Sequence, residues 1–305
     1  MFDAPPKVTA EVFARLPDRY RNRGGQDTFA KTHFKGFTGA FLEGPCFTRE
    51  GDFYCVDVPG GRIFRIDQNG EFDLAVQYDG EPAGLAAHPD GRIFVTDVKN
   101  GIMVFDPKTG KVEPFVTRRS TERFKGPNDL IFASNGDIYF TDQGLTGLQD
   151  PTGRLYRIRK SGALECVLEG IPSPNGLVMN LSEDLLYLAV TRANAVWRVP
   201  ILEDGSTLKV GVFVQTSGGM GPDGLALDAD GGLVIAHAAF GSVWLTDAKG
   251  EPKLRIVSPE GLMTTNVAFG IKDPHHLYIT ESASGSILRV KMPQKGHTTY
   301  AQMNP

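Results

Sequence analysis

The stretch Phe41-Leu42-Glu43-Gly44-Pro45 decides the architecture, because its local pattern returns five more times along the 305-residue chain. Aligned on Glu43, the later copies place Ala83, Asn128, Asn175, Asp223 and Asn266 at the same position, at intervals of 40, 45, 47, 48 and 43 residues. Each opens a short apolar run, and most have Gly or Pro beside them. About eight residues on comes a turn signal: Glu50-Gly51, Asp90-Gly91, Asn135-Gly136 and Asp230-Gly231, with Glu183 and Pro274 in the looser copies. A second apolar run follows each turn, from Phe53 to Val56 in the first copy and from Leu277 to Thr280 in the last. Two short strands joined by an Asn-Gly or Asp-Gly turn make a hairpin. Six hairpins at this period predict a propeller or a solenoid; the further strand pairs in each copy, such as 62–66 with 72–76, favour an all-β, six-bladed β-propeller.

The sixth copy runs out of strands after Val290. A strand from the N-terminus, Thr9 to Leu16, is expected to complete it and so remove an open edge, with Thr298 to Met303 as the alternative. The whole chain, 1–305, is read as one domain, with 1–40 supplying the closing strand and a lid-like loop. That loop, Asp18 to Thr38, is polar, rich in Arg and Gly, and too long for a simple connection. Gln143 to Thr152 is a second excursion, between the second and third strands of blade three, and is expected at a rim.

Composition narrows the function. Thirty-six glycines and twenty prolines suit a turn-rich protein. A net charge of −4 with pI near 5.9 gives no basic stripe, so nucleic acid is set aside as a partner. No apolar run approaches a membrane span, and Met1 to Tyr20 lacks the apolar core of a secretory signal, so the expectation is a cytoplasmic protein with no membrane partner. Cys46, Cys55 and Cys166 cannot all pair and form no metal-binding spacing; they read as reduced thiols, a Cys46–Cys55 bridge being the alternative.

The innermost strands of a propeller run along its channel, so the six aligned residues converge on the axis. Two carboxylates and several amide oxygens aimed at one point are poorly satisfied unless something positive sits between them. An all-oxygen set with a carboxylate pair suits Ca²⁺ first, then Mg²⁺ or Mn²⁺. Zn²⁺ prefers His or Cys, and only His237 lies near enough in the pattern to contribute. Singly, Asn175-Gly176 or Pro222-Asp223-Gly224 reads as a turn. Their shared register makes Glu43, Asn128, Asn175 and Asp223 candidate metal ligands. Asn266 is read as ligand, substrate contact or strand cap, and Ala83 as a gap through which substrate reaches the ion. Asp57, Asp97, Asp142 and Glu281 end the second strands and are expected to accept backbone hydrogen bonds. His237 occupies that place in blade five, either as a buried structural residue or as a proton-handling one.

Glu43-Gly44-Pro45, Gly126-Pro127-Asn128-Asp129-Leu130, Pro174-Asn175-Gly176-Leu177 and Pro222-Asp223-Gly224-Leu225, in that order, resemble the motifs of the SMP-30/gluconolactonase/LRE-like family, from about Phe41 to Val290. The resemblance implies a six-bladed propeller with one divalent cation in the channel and hydrolysis of sugar lactones, small-molecule substrates. It places the metal ligands on Glu43, Asn175 and Asp223, a further ligand or substrate contact on Asn128, and the general base on Asp223. An Arg that holds substrate commonly precedes the third-blade Asn in the family; here Gly126 stands two before Asn128, and Arg123 and Lys125 are near. The chemistry expected is lactone opening by metal polarisation of the carbonyl, with Asp223 either activating water or attacking directly. The rivals are a calcium-dependent aryl-esterase or phosphotriesterase, and a non-catalytic binding propeller of the NHL kind.

Overall fold

The computed structural model describes residues 4–21 and 39–303. Six sheets are ordered around a ring: four-stranded at 42–77, 82–116, 127–171 and 174–215 and, with one N-terminal strand added to each, five-stranded at 221–257 and four-stranded at 264–291. Within each blade successive strands pair antiparallel. The innermost strands, Leu42–Phe47, Pro82–Ala87, Pro127–Phe132, Pro174–Met179, Gly221–Leu227 and Thr264–Phe269, each contact the next, and the sixth contacts the first. A closed circle of this kind leaves only short, protected inner edges along the channel. The first hairpin turn is built alike in five blades: Gly51, Gly91, Gly136 and Gly231 take positive φ, and Glu183 takes it at φ 56° without glycine's freedom.

The core lies between the blades, where the alternating faces of neighbouring sheets interdigitate. Val56, Ile63, Leu85 and Val95 pack between the first two blades, and Leu225, Ile235, Ala189 and Val196 between the fourth and fifth. The strand ends are held as expected from the repeated acids. Asp57 accepts from the Phe41 N–H at 2.9 Å, Asp97 from Glu81 at 3.1 Å, Asp142 from Gly126 at 2.9 Å and Glu281 from Met263 at 2.9 Å. Each of these carboxylates ties the approach to an inner strand to the end of its partner.

Glu11–Arg15 pairs antiparallel with Ser286–Lys291 as the outermost strand of blade six, inside the segment expected to close the ring. One strand earlier, Lys7–Thr9 pairs in parallel with Pro252–Val257, giving the fifth blade an additional strand. The N-terminus therefore staples the last two blades together. Ala14 and Leu16 are buried, and two paired carboxylate–guanidinium contacts, Arg15–Glu260 and Arg289–Glu11, flank the seam. Thr298 to Met303 does not supply a strand: Tyr300–Gln302 is a 3₁₀ turn against one end of the channel, its Tyr300 ring stacked on Phe132 at 4.9 Å. The loop expected over one face lies, beyond Arg21, outside the described residues. Among the described residues no helix is long and apolar enough to cross a membrane. Cys46, Cys55 and Cys166 are free.

If the staple holds the ring, truncating its most deeply buried side chain is costly. Leu16→Ala is expected to destabilise the protein by about 2–5 kcal/mol in urea unfolding, the usual range for emptying a filled Leu site. A loss below about 1 kcal/mol would show that the ring closes without it.

Candidate metal centre and substrate cleft

Every innermost strand breaks its pairing register at the same place, just after its first or second residue: between Glu43 and Cys46, Pro82 and Gly84, Pro127 and Leu130, Pro174 and Leu177, Pro222 and Leu225, and Thr264 and Asn266. A bulge sets two residues against one and re-aims the side chains beside it. Here it turns two consecutive residues of each strand toward the axis, making two stacked tiers. The upper tier holds Glu43, Ala83, Asn128, Asn175, Asp223 and Thr265. The lower holds Gly44, Gly84, Asp129, Gly176, Gly224 and Asn266. The N–H freed by the bulge is caught in three blades by a threonine hydroxyl of the neighbouring strand: Gly84 by Thr96 at 2.7 Å, Asp129 by Thr141 at 3.1 Å and Asn266 by Thr280 at 2.9 Å.

This register corrects the alignment of the sixth copy, in which Thr265 rather than Asn266 stands level with Glu43. The Thr265 hydroxyl donates to the Leu42 carbonyl at 3.0 Å, clamping blade six to blade one. Asn266 lies a tier lower, where its amide donates to Glu43 Oε2 at 3.1 Å and Asp129 Oδ2 at 3.3 Å. Glycine elsewhere in that tier is a packing requirement. A Cβ on Gly224 would stand 2.0 Å from Asn266 Oδ1, and one on Gly84 would stand 2.6 Å from Asp129 Oδ1.

Glu43, Asn175 and Asp223 are all buried and converge on the upper tier. Asn175 hydrogen-bonds the Asp223 carboxylate, yet Asn175 Oδ1 and Asp223 Oδ1 are left buried with no hydrogen-bond partner. A buried acceptor without a donor costs about 1–3 kcal/mol, so two at one spot mark a place where a positive group belongs. Half-buried Asn128 donates its amide to Gln143 Oε1 at 2.9 Å, and Gln143 donates in turn to Ser173 Oγ at 2.9 Å, so its oxygen is the group left to face the cleft. Asp129, which the sequence alignment passed over, adds a third buried carboxylate beneath.

Burial dominates the electrostatics of all three acids. It pushes Glu43 up to about 8, partly countered by the Gly44 N–H and reinforced by the charge of Asp129. It pushes Asp129 up to about 7. Asp223 is held well above the ordinary carboxylate range by burial and then by the charges of Glu43 and Asp129. Among the described residues no three His, Cys, Asp or Glu side chains cluster tightly enough to hold an ion unaided. The amide oxygens of Asn175 and Asn128 are therefore needed to complete a donor set, and an all-oxygen set fits Ca²⁺ and its hard relatives, not Zn²⁺.

The upper tier opens into a cleft of about 590 Å³. Glu43, Ala83, Asn128, Asn175 and Asp223 form its floor, and the excursion at 143–149 one wall, with Leu145 and Leu148 exposed. On the far side of the tiers a separate cavity of about 210 Å³ is lined by apolar residues from the later halves of the inner strands and by 296–303. Lys125 lines the cleft, but Arg123 sits on an exposed two-stranded ribbon with Arg118 and does not line it. His237 is also away from the cleft. Its Nδ1 accepts from Trp244 Nε1 at 3.2 Å, its Nε2 bonds the Gly218 carbonyl at 2.9 Å, and its ring stacks on Phe240. Burial lowers its pKa, so it is a neutral structural residue with both nitrogens engaged.

The model for the SMP-30/gluconolactonase/LRE-like region matches residues 41–283. The chain is 30% identical over 282 residues to lactonase drp35 of Staphylococcus saprophyticus, covering 86% of each, and 30% identical over 284 residues to lactonase drp35 of Staphylococcus aureus, again covering 86% of each. Among solved structures it superposes on a calcium-binding regucalcin from Agrobacterium tumefaciens with a TM-score of 0.77 at 20% identity, covering 97% of this chain and 98% of that one. A gluconolactonase from Xanthomonas campestris gives a TM-score of 0.74 at 22% identity, covering 95% and 99%. At those identities the superpositions speak for the fold.

A cation bound at the upper tier would have to displace protons from the buried acids, which fixes a pH dependence for that binding. Glu43 and Asp129 have folded pKa values above their ordinary ones, so their contribution to the stability of the cation-free protein is fully present below about pH 4 and is lost as pH rises toward 8. The melting temperature of EDTA-treated protein is expected to fall between pH 5 and pH 8, and the stabilisation by added Ca²⁺ to grow over the same interval. Scanning fluorimetry checks this, and a Ca²⁺ effect as large at pH 5 as at pH 8 would contradict it.

Proposed function

The chain belongs to the SMP-30/gluconolactonase/LRE-like family, and from that premise we propose that it is a divalent-cation-dependent lactonase that opens a cyclic ester in the upper cleft. The observation that carries the reading is the pair of buried, partnerless oxygens on Asn175 and Asp223, next to Glu43 at the floor of that cleft. Relatives named lactonases and a structural neighbour described as calcium-binding support it. Glu43, Asn175 and Asp223 would hold the cation, with Asn128 as a further ligand or as a contact to substrate. When bound, a divalent ion there supplies Lewis-acid polarisation of the ester carbonyl.

The chain's own residues account for the proton movements. Asp223 is the general base: its carboxylate lies at the cleft floor in surroundings that raise its basicity, and the oxygen that does not hold the cation would take the proton. It takes a proton from a water whose oxygen adds to the carbonyl carbon. Collapse of the adduct breaks the ring C–O bond, and the departing alkoxide takes the proton back from Asp223, giving a hydroxy acid. Asn128, fixed through Gln143 and Ser173, orients substrate at the edge of this site. Ala83 keeps the blade-two side of the floor low enough for a ring to approach. The site offers no function for Arg123 or His237 in binding substrate.

A pH-stat assay of gluconolactone, an aryl ester and an organophosphate, run with EDTA and then with Ca²⁺, Mg²⁺ or Mn²⁺ returned, tests this reading. Lactone opening lost to EDTA and restored by cation is expected. Asp223→Asn is expected to lower lactone kcat by about 10²- to 10⁴-fold while retaining some cation binding, whereas Glu43→Gln weakens cation binding first. Undiminished turnover by Asp223→Asn would remove Asp223 as the base.

A further inference from the structure

The cleft is chemically two-sided. Blades three and four present Lys125, Asn128, Gln143, Ser173, Thr191 and Arg192, two of them cationic, beside the apolar Leu145 and Leu148 of the blade-three excursion. Apart from Glu43 and Asp223, the other four blades present Phe41, Val58, Ala83, Val98, Met220 and Met263. A site built for a polyhydroxylated ring would need hydrogen-bonding groups around its circumference, and this one has them on a single side.

Arg192 is the distinctive member of that side. It is exposed at the mouth, its charge acts on Asp223, and no carboxylate forms an ion pair with it among the described residues. Its backbone is firmly placed. Thr191–Ala193 is a 3₁₀ turn closed by Asn194 in the left-handed region, and Thr191 Oγ1 donates at 2.8 Å to the carbonyl of Pro222, the neighbour of Asp223. Gly221 lets this turn approach so closely that a Cβ there would lie 2.1 Å from the Thr191 carbonyl oxygen. A guanidinium anchored to the strand of the base, unpaired and facing the cleft, is suited to receive a carboxylate through charge-assisted hydrogen bonds. Lys125, from the adjoining blade, adds a second positive charge.

Resting on the lactonase reading, we propose that Arg192 selects substrate: the preferred lactone carries a carboxylate on the ring carbon beside the ring oxygen, held by Arg192 with Lys125 in support, while the rest of the ring lies against the apolar blades. The reaction is unchanged, and the product is a hydroxy dicarboxylate.

The test compares 5-oxotetrahydrofuran-2-carboxylate with its neutral carboxamide. The ratio of their kcat/KM values is expected to favour the carboxylate, to fall about 10- to 100-fold in Arg192→Ala, the worth of a charge-assisted hydrogen bond, mainly through KM, and to recover in part in Arg192→Lys. The preference should weaken with added salt. Binding of tetrahydrofuran-2-carboxylate, which has no ester to cleave, is measured by calorimetry on the same proteins and should depend on Arg192 in the same way. Arg192-dependent binding without cleavage of either lactone would sink the lactonase reading and leave the anion site standing. An unchanged ratio together with binding indifferent to Arg192→Ala would overturn the proposal, as would equal losses on both lactones, which would make Arg192 a residue that only tunes Asp223.

Discussion

Glu43 and Asp223, buried and close enough to repel, are the constraint on which the centre of this molecule depends. Buried acids without a counter-charge are protonated or paired, because the protein interior solvates an isolated charge poorly. The polypeptide supplies only part of the compensation, through the Gly44 N–H and the amides of Asn175 and Asn266. The remainder is left as directed oxygens without partners, so the chain has stored an electrostatic deficit at one place on its axis. A cation is the simplest group that cancels it.

The propeller is what makes such a deficit tolerable. Six bulges at equivalent points turn side chains inward, the threonine hydroxyls recover the N–H groups that bulging releases in three blades, and in the lower tier Gly84 makes room for Asp129 and Gly224 for Asn266. The repulsion at the hub is borne by a ring stapled twice at its N-terminus, across blades five and six. Rigid blades also explain how residues on short turns, such as Arg192, acquire fixed positions at the mouth. The turn is locked to the strand of Asp223 through Thr191 and Gly221, so the mouth and the floor of the cleft are one mechanical unit.

Much of this was legible in the sequence because repetition carries register. The period gave six blades, the depleted sixth copy pointed to an N-terminal closing strand, and the Pro and Gly neighbours of Asn175 and Asp223 marked the turn of each inner strand toward the axis. The sixth copy has no such markers, only Thr264-Thr265-Asn266, and an alignment drawn on the apolar run slipped by the one residue that a bulge absorbs. Asp129, which follows Asn128 and falls in the lower tier, was passed over because the alignment followed the tier above it; a carboxylate where four other copies have glycine was the available signal. His237 sat at an acidic position of the repeat, but its partners Trp244 and Gly218 come from separate strands and loops and leave no local trace. Arg123 was near Asn128 in sequence, yet the ribbon it forms with Arg118 carries it outward. Arg192 belongs to no motif, and its standing at the cleft follows only from how blade four packs on blade five.

The most direct test of a shared cation at the hub is an anomalous-scattering map from crystals soaked in Mn²⁺ or in a lanthanide that substitutes for Ca²⁺. One strong peak on the axis, at about 2.1–2.6 Å from oxygens of Glu43, Asn175 and Asp223, is the predicted result. An axis without a peak, in crystals where the ion is seen bound at the surface, would contradict it.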